Sequence, residues 1–410
     1  MTTTLPKTSL SFRDRMDVEN GLVDRKIFSD DEIYQLELKR VFGRAWLFMC
    51  HDSQIPNSGD FFQTFMGEEK VIVVRNRQGG AEVLINACRH RGAAVCRAHS
   101  GNTSKFMCAY HGWTYDLNGN LIGVPGNAEL YDKTIDRKSW GLGKAAQVMS
   151  YRGFIFATLD PEAPPLETFL GGAGKVMIDK LADYGDIEVV PGVIRHRLKA
   201  NWKIGMENDQ DYYHVGITHA SLFDAWQSSR AEVNQQYWID NKGDIILGEY
   251  GHITDTMPGH FHSSIFPHMS LLTDLLQVVI VRHPKGPQEL EMLYFTFVDK
   301  NASPEERKAV IDRNIMRLGP SGMVEQDDGE NFEFCTTGSA SQLLRDRPFN
   351  YQMGLGSAKL KEGDDRDFPV FEGDRTSEVY ARWRIQCWAD WMDAENWDDL
   401  ITNHSLPAAR

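Results

Sequence analysis

Residues 86–116 read NACRHRGAAVCRAHSGNTSKFMCAYHGWTYD, and this stretch decides the fold of the first part of the chain. It contains two short clips of similar form, Cys88-x-His90 and Cys108-x-x-His111. Each clip offers one thiolate and one imidazole, side chains that bind iron and zinc. A glycine follows each histidine within two residues and allows the tight turn that such a clip needs. The pattern therefore predicts a metal centre held between two loops.

Two kinds of metal centre could use these four ligands. A zinc site with two cysteines and two histidines usually pairs C-x(2–4)-C with H-x(3–5)-H, whereas each clip here mixes the two residue types. Two cysteines on one iron and two histidines on the other define a Rieske [2Fe–2S] centre. Trp113 and Tyr115 follow the second clip and can pack beside such a cluster. We therefore favour the Rieske cluster and keep zinc as the alternative.

The other cysteines are predicted not to bind metal. Cys96 and His99 lie between the clips, but their spacing fits neither of them. The remaining three are predicted to be small, buried apolar residues: Cys50, Cys335 and Cys387.

The composition excludes several classes of protein. The 410 residues carry 44 Lys+Arg against 58 Asp+Glu, a net charge of −14, which argues against binding nucleic acid or an anionic membrane surface. No apolar run approaches the roughly 20 residues of a membrane span, and the N-terminus lacks the apolar core of a signal peptide. Six cysteines are too few for a disulfide framework and indicate a reducing compartment, so we expect a cytoplasmic protein.

Secondary-structure patterns indicate an α+β protein. Short alternating strands broken by glycine and asparagine fill residues 60–160 and predict a small all-β domain. The longer elements expected outside it are helices at 29–47, 303–318 and 376–395 and strands at 275–282 and 291–298. We place the all-β domain at 43–163 and assign 1–42, an N-terminal helical part, and 164–410 to one larger domain.

A second constellation of possible metal ligands lies at residues 201–220, NWKIGMENDQDYYHVGITHA. His214 and His219 are five residues apart, which places them about 140° apart on a regular helix. They can bind one metal only if the helix is interrupted between them, and Gly216 is the obvious place. Asp211 lies three residues before His214 and shares its helical face.

The missing ligand of this second site is predicted to be a distant carboxylate. Two histidines and one carboxylate, with one face left open, are the ligands of non-haem Fe(II) oxygenases. The best candidates are Asp327 and Asp328, in the segment GPSGMVEQDDGENFE at 319–333. Taken alone, such an acidic run is typical of a solvated surface. The Rieske pattern supports the interpretation of this acidic run as a metal ligand, because a cluster and a mononuclear iron together form one electron-delivery system.

The chain resembles the large (alpha) subunit of the Rieske non-haem iron ring-hydroxylating oxygenases in three segments. In order along the chain, these are the clip domain, the E-N-x-x-D-x-Y-H-x4-H segment and the G-P-x-G…E-x-D-D segment. This group includes naphthalene and benzoate dioxygenases. The resemblance implies a catalytic domain of the helix-grip type, in which helices cover an antiparallel sheet. It also implies the two ligand sets: Cys88, His90, Cys108 and His111 for the [2Fe–2S] cluster, and His214, His219 and Asp328 for the iron.

The resemblance adds roles for two further residues and leaves the subfamily open. Asp211 resembles the aspartate that joins an iron-ligand histidine to a Rieske histidine of the neighbouring subunit, and Asn208 matches the asparagine near the iron. Asn208 and Asp211 are three residues apart, as in benzoate-like members, whereas naphthalene-like members have four. The segment around Asp328 looks more naphthalene-like.

By this resemblance the chain is the terminal oxygenase component of an aromatic dioxygenase. It would use O2 and two electrons, relayed from NADH by a ferredoxin, a flavin reductase or both, to cis-dihydroxylate a small aromatic substrate. The alternatives are a monohydroxylase of a hydroxylated or carboxylated arene, such as a salicylate, and a Rieske electron carrier without oxygen chemistry. No G-x-G-x-x-G motif follows a strand, so the nicotinamide is expected on a partner. We expect a head-to-tail homotrimer, with a small beta subunit in an α3β3 assembly.

Residues of the substrate pocket are predicted from their position along the chain. Leu222 and Phe223 follow the histidine segment, and Leu318 and Val324 precede Asp328. A further candidate, His268, could hydrogen-bond a polar group of the substrate.

Overall fold

The computed structural model describes residues 11–131, 134–228, 243–257, 260–273, 276–374 and 376–407. The chain divides into two compact units, one formed by Gly43–Leu166 and the other by Met1–Phe42 together with Glu167–Arg410. Within the described ranges, none of the helices has the length and apolar character needed to cross a membrane.

The unit Gly43–Leu166 is built from short antiparallel strands. They are β3 (Leu47–His51), β4 (Asp60–Met66), β5 (Glu69–Arg75), β6 (Ala81–Ile85), β7 (Ser100–Asn102), β8 (Phe106–Met107), β9 (Thr114–Tyr115), β10 (Leu121–Gly123), β11 (Gln147–Tyr151) and β12 (Phe154–Thr158). They form sheets ordered β6-β5-β4-β7, β10-β9-β8 and β11-β12-β3. In β5, Val71, Ile72, Val73 and Val74 are all fully buried, as expected for a β-branched strand covered on both faces.

The core of this unit surrounds the two clips. Cys88 and Cys108 belong to the same buried cluster as Trp113, Tyr115 and Leu84. The cysteine side chains are therefore held away from water by the packing of the β sheets.

The second unit contains a long antiparallel sheet ordered β13-β20-β19-β18-β17-β16-β15-β23-β22, with β14 also paired to β20. Its strands are β13 (Ile187–Val189), β14 (Ile194–Leu198), β15 (Asp244–Leu247), β16 (Ile253–Met257), β17 (His260–Ile265), β18 (Met269–Thr273), β19 (Val278–Pro284), β20 (Leu290–Asp299), β22 (Lys359–Leu360) and β23 (Val370–Glu372). A small separate sheet joins β1 (Met16–Asp17), β2 (Leu22–Val23) and β21 (Phe349–Asn350).

The second unit also contains helices, several of which pack against this sheet. They are α1 (Asp31–Glu37), α2 (Leu166–Ala182), α3 (Trp202–Glu207), α4 (Val215–Thr218), α5 (Ala220–Ser228), α6 (Pro304–Leu318), α7 (Glu325–Ser339), α8 (Val379–Asp393) and α9 (Trp397–Asn403). The predicted α+β class, with a small all-β domain and a larger domain of helices and an antiparallel sheet, is confirmed. Helix α6 begins with a capping box, in which the Ser303 hydroxyl accepts from the N–H of Glu306 and the Glu306 carboxylate accepts from the N–H of Ser303.

The helix predicted at 29–47 was too long. Helix α1 ends at Glu37, a π-helical turn continues to Phe42, and Leu47 already belongs to β3. Asp30, rather than Ser29, caps the start of α1 by accepting hydrogen bonds from the backbone N–H groups of Glu32 and Ile33. Pairing with β12 fixes the end of this segment as a strand, which no local pattern reveals.

One buried carboxylate ties the N-terminal part of this unit to its interior. Glu37, which is fully buried, accepts hydrogen bonds from Trp202 Nε1 at 2.8 Å, Lys203 Nζ at 2.5 Å and Trp388 Nε1 at 2.7 Å. A buried carboxylate is stable only when it is paired and hydrogen-bonded in this way. The network fixes α3, the helix that leads directly into the histidine segment.

Candidate metal centres

The two clips adopt the same backbone turn although their spacings differ. The N–H of Gly92 donates to Cys88 O at 2.8 Å, and the N–H of Gly112 donates to Cys108 O at 2.9 Å. The cysteine N–H groups each donate to the residue five positions on, at 2.8 Å. Both glycines have positive φ angles, 76° and 73°, which a residue with a Cβ rarely adopts. The predicted clips therefore form as a matched pair.

The imidazoles of the clips converge on each other. His90 Nδ1 and His111 Nδ1 lie 3.1 Å apart, with ring centroids 4.5 Å apart. Two nitrogens that bind one tetrahedral metal at about 2.0–2.1 Å lie about 3.3 Å from each other. The donor set of two buried thiols and two facing imidazole nitrogens therefore fits a Rieske cluster.

Aromatic side chains surround this donor set as predicted. The ring of Trp113 stacks on His90, with centroids 5.1 Å apart and planes inclined by 7°. The hydroxyl of Tyr115 lies 3.2 Å from Cys88 Sγ and accepts a hydrogen bond from the N–H of Arg89 at 3.1 Å. Burial, with the hydrogen bond to Cys88, raises the pKa of Tyr115, which therefore stays protonated.

His214, His219 and Asp328 come together in the larger unit. One ligand atom from each of these residues lies within 4.8 Å of the other two. Both Nε2 atoms are 3.4 Å from Asp328 Oδ1. These separations exceed a good N–H···O hydrogen bond, but they match the spacing of about 3.0–3.5 Å between neighbouring ligands of a divalent metal. The three side chains therefore fit a mononuclear iron.

The chain path that brings the histidines together differs from the prediction. Helix α4 runs without interruption through Gly216, and the helical conformation is lost at His219, with φ −100° and ψ 30°. Helix α5 then starts at Ala220. The predicted interruption exists, but it lies at the second histidine rather than at the glycine.

Each imidazole of this site has a carboxylate at its other nitrogen. Asp211 Oδ1 lies 3.5 Å from His214 Nδ1, and Asp327 Oδ2 lies 3.3 Å from His219 Nδ1. Such carboxylates fix the tautomer and orientation of metal-binding histidines. From the sequence, Asp327 was considered only as an alternative to Asp328 as the iron ligand. Its position behind His219 was not predicted.

Asn208 lies among the candidate ligand atoms. Its Nδ2 is 3.3 Å from His214 Nε2 and donates to Asp328 Oδ1 at 3.3 Å. This agrees with the position that the resemblance implies for it.

The electrostatics of the site favour a cation. Burial would raise the pKa of Asp328, but hydrogen bonds and charge from His214 and His219 lower it to about 2. Burial would lower the pKa of His214, but hydrogen bonds to Asp211 and Asp328 raise it to about 10. Asp328 is therefore ionised at neutral pH, and the surrounding carboxylates attract positive charge to the imidazoles.

A cavity of about 610 Å³ reaches this site. Its lining includes Glu207, Asn208, Asp211, Tyr213, His214 and Asp328. Cys335 also contributes to the lining and is exposed, so its predicted burial was wrong. The error arose because α7 buries only one face, which includes Asp328, Phe332 and Thr336, and Cys335 does not lie on it.

The predicted pocket residues are not in the lining of this cavity. Leu222, His268 and Leu318 are buried, and Val324 is half-buried. The side chain of Phe223 lies outside the described part of the structure. Their role in substrate binding stays a prediction.

Two family models match the chain. The model of the Rieske [2Fe-2S] domain matches residues 45–140, and that of the ring hydroxylating alpha subunit (catalytic domain) matches residues 178–392. The chain belongs to the ring-hydroxylating alpha subunits. The predicted family is thereby confirmed, and the Rieske electron carrier without a catalytic domain is excluded.

Named relatives agree with this assignment. The alpha subunit is 34% identical to the biphenyl dioxygenase subunit alpha of Paraburkholderia xenovorans (strain LB400), over 96% of this chain and 95% of that protein. It is 34% identical to the benzene 1,2-dioxygenase subunit alpha of Pseudomonas putida, over 94% of each chain. A structure of naphthalene 1,2-dioxygenase with indole bound in the active site superposes with a TM-score of 0.87 at 27% identity, covering 96% of this chain and 97% of that one.

These findings confirm the predicted enzyme class and cofactors. The alpha subunit is an oxidoreductase of the Rieske dioxygenase class, with a [2Fe–2S] cluster and a mononuclear iron. As the alpha subunit of a multicomponent dioxygenase, it works with electron-transfer partners in an oligomeric assembly.

Proposed function

We propose that this alpha subunit cis-dihydroxylates an aromatic hydrocarbon, using O2 and two electrons that originate from NADH. The observation that carries the proposal is the convergence of His214, His219 and Asp328, with a carboxylate behind each imidazole. The relatives named for biphenyl, benzene and naphthalene support an aromatic hydrocarbon without a carboxyl group as the substrate.

The proposed ligand roles follow the two donor sets. Cys88, His90, Cys108 and His111 would hold the [2Fe–2S] cluster, and His214, His219 and Asp328 would hold the iron. When bound, the cluster supplies single electrons and the iron supplies redox chemistry with dioxygen.

The protein's own side chains prepare the mononuclear site. Asp327 accepts the Nδ1–H of His219, and the Asp211 carboxylate lies 3.5 Å from His214 Nδ1, so both carboxylates favour the tautomer in which the Nε2 lone pair is directed to the metal position. Asn208 donates to Asp328 Oδ1 and so limits the rotation of that carboxylate. These contacts keep the ligand geometry when the charge of the site changes during turnover.

The assembly we propose is a head-to-tail homotrimer, with a small beta subunit in an α3β3 complex. In it, Asp211 would join His214 to a Rieske histidine of the neighbouring subunit. The Asp211 side chain is 31% exposed and is therefore accessible to such a partner. A head-to-tail interface of this kind closes into a ring.

A ferredoxin, a flavin reductase or both would deliver the electrons. The relative named as the large oxygenase component of a naphthalene 1,2-dioxygenase system supports separate carriers. We also propose a cytoplasmic location, which the six free cysteines support.

The test of the function combines metal analysis with product analysis. Anaerobically purified protein should contain about three irons and about two acid-labile sulfides per chain, and a Rieske-type EPR signal should appear after reduction. With partner carriers and NADH, biphenyl, benzene or naphthalene should yield a cis-dihydrodiol. A phenol as the only product would favour the monohydroxylase, and zinc without sulfide would contradict the proposal.

A further inference from the structure

The cavity beside the mononuclear site contains a carboxyl group that the ligand sets do not use. Glu207 is the last residue of α3 and lines this cavity. Its Oε2 accepts a hydrogen bond from the hydroxyl of Tyr351 at 2.9 Å. Its Oε1 is buried and makes no hydrogen bond to any described residue. A carboxylate with one bare, buried oxygen favours its protonated form.

The charged residues that line the cavity also favour a protonated carboxyl group. Among the described lining residues are four carboxyl groups, Glu207, Asp211, Asp328 and Glu378, and one guanidinium, that of Arg25. His214 also lines the cavity, but carboxyl groups that share a site raise each other's affinity for a proton, so the carboxyl with the fewest stabilising partners takes one most readily. Asp328 and Asp211 are not that group, because both face imidazoles: Asp328 Oδ1 lies 3.4 Å from Nε2 of His214 and of His219, and Asp211 Oδ1 lies 3.5 Å from His214 Nδ1 and accepts from the N–H of His214.

Hydrogen bonding separates the two glutamates. Glu378 accepts from Tyr213 through Oε1 at 3.1 Å and from the N–H of Met353 through Oε2 at 2.8 Å, so both of its oxygens are satisfied as a carboxylate. Glu207 has one such donor. Burial raises the pKa of both glutamates, but among the described residues only Glu207 leaves a buried oxygen without a hydrogen bond, so we place the proton on Glu207.

The groups around Glu207 leave it close to half-protonated at neutral pH. Burial raises the pKa of Glu207 to about 7, against the lowering effects of Tyr351, Arg384 and Lys203 and with a further rise from Asp211. These groups come from the separate elements that face the carboxyl: α3 itself, the turn after it, the segment after β21 and α8. On α7, burial raises the pKa of Cys335, and the charges of Glu207 and Asp211 raise it further.

We propose that Glu207 is the proton carrier of the mononuclear site, taking a proton from solvent through the cavity and giving it up during turnover. The inference rests on the proposed function. Arene, O2, two electrons and two protons balance to one cis-dihydrodiol, so each of the two new hydroxyl groups requires one proton. The O–H bond of the Glu207 carboxyl breaks to supply one of these protons, and water in the cavity restores it.

The point in turnover at which Glu207 takes up its proton follows from the change in charge at the mononuclear site. Adding an electron at the neighbouring site makes its surroundings more negative and strengthens proton binding to a nearby carboxyl. A group poised near neutrality responds most strongly to such a change. Glu207 therefore takes up its proton when the site is reduced, before the product hydroxyls form.

The test is reduced-minus-oxidised infrared difference spectroscopy of the iron-loaded, cluster-containing protein. Wild type should show a protonated-carboxyl C=O band that grows on reduction, shifts in D2O and titrates near pH 7. E207Q should lose this band, whereas E378Q, a matched change in the same cavity, should keep it. A band that persists in E207Q, or disappears in E378Q alone, would overturn the assignment. If E207Q does not fold, a wild-type spectrum without a carboxyl band between about pH 6 and 8 would also overturn it.

Turnover and metal content on the same samples separate this inference from the proposed function. E207Q should retain iron and sulfide but form product at least tenfold more slowly, and E207D should recover part of the rate. Wild type that holds iron yet makes no dihydrodiol contradicts the proposed function. Wild type that makes dihydrodiol without any carboxyl band contradicts the role of Glu207 alone.

Discussion

The hydroxyl of Tyr115 offers a direct test of how the protein tunes its cluster. Because the N–H of Arg89 donates to Tyr115 Oη, the hydroxyl proton is free to point at Cys88 Sγ, 3.2 Å away. A donor to a cluster sulfur stabilises the reduced, more negative cluster more than the oxidised one. Replacing Tyr115 with phenylalanine should therefore lower the reduction potential.

The size of the shift follows from the worth of one hydrogen bond. A buried hydrogen bond to a charged or polar partner contributes about 1–2 kcal/mol, and about 1.4 kcal/mol corresponds to 59 mV for a one-electron couple. The Tyr115→Phe protein should have a potential about 40–85 mV below that of wild type. An EPR-monitored redox titration measures this shift directly.

A second tyrosine provides the control. Tyr110 is exposed, with its ring centroid 3.7 Å from that of His111. Tyr110→Phe also removes one hydroxyl near the cluster, and it should leave the potential unchanged. The reasoning is refuted if Tyr115→Phe retains full cluster content and the wild-type potential, or if both variants shift equally.

Three further predictions concern single side chains. Asp211→Asn should keep both metal centres, because the ligands remain, but largely abolish turnover; iron, sulfide and product measured on one sample check this. Asp327→Asn should weaken iron binding about 10–100-fold, measured by competition with a chelator, because the charged acceptor of the His219 Nδ1–H becomes a neutral amide. His252 should make the fold sensitive to acid. Its Nε2–H donates to Phe169 O and its Nδ1 accepts from the N–H of Phe266, and burial lowers its pKa to about 4. Because the folded-state pKa lies below the unfolded value of about 6.5, stability falls as the pH drops from about 6.5 towards 4, by about 3 kcal/mol. Urea unfolding across this range, compared with His252→Asn, measures that contribution.

Each of these predictions can fail. Full turnover in Asp211→Asn would remove the bridging role. The exposed Asp312→Asn serves as the control for Asp327→Asn. If Asp327→Asn leaves the iron affinity unchanged, the contact between Asp327 and His219 does not contribute to iron binding. An equal loss of stability with acid in wild type and His252→Asn would mean that other groups dominate the titration.

Local patterns predicted the parts of the fold that depend on neighbouring residues. The clips and the helix expected at 303–318 both rest on contacts within a few residues. The end of α1 was not predictable in this way, because β3 pairs with β12, more than a hundred residues later. Periodicity cannot distinguish a long helix from a short helix followed by a buried strand.

The candidate site shows the same division. His214 and His219 lie in one short segment, and the resemblance to a family selected Asp328 from a pair of acids. Adjacent residues on a helix point about 100° apart, so Asp327 and Asp328 reach different atoms, but the sequence does not say which atoms these are. The hydrogen-bond partner of Glu207, Tyr351, lies 144 residues away, and no local signal connects the two.

The network around Glu37 has a consequence for the order in which the chain is made. Its partners Trp202 and Lys203 follow it by 165 and 166 residues, and Trp388 follows by 351. On the ribosome, the N-terminal segment therefore emerges long before the groups that complete its fold. The unit Gly43–Leu166 is continuous in sequence and can acquire its structure while synthesis proceeds. The larger unit closes only when α8 is released, so nascent chains that stop before α8 leave a carboxylate at position 37 without its full set of donors.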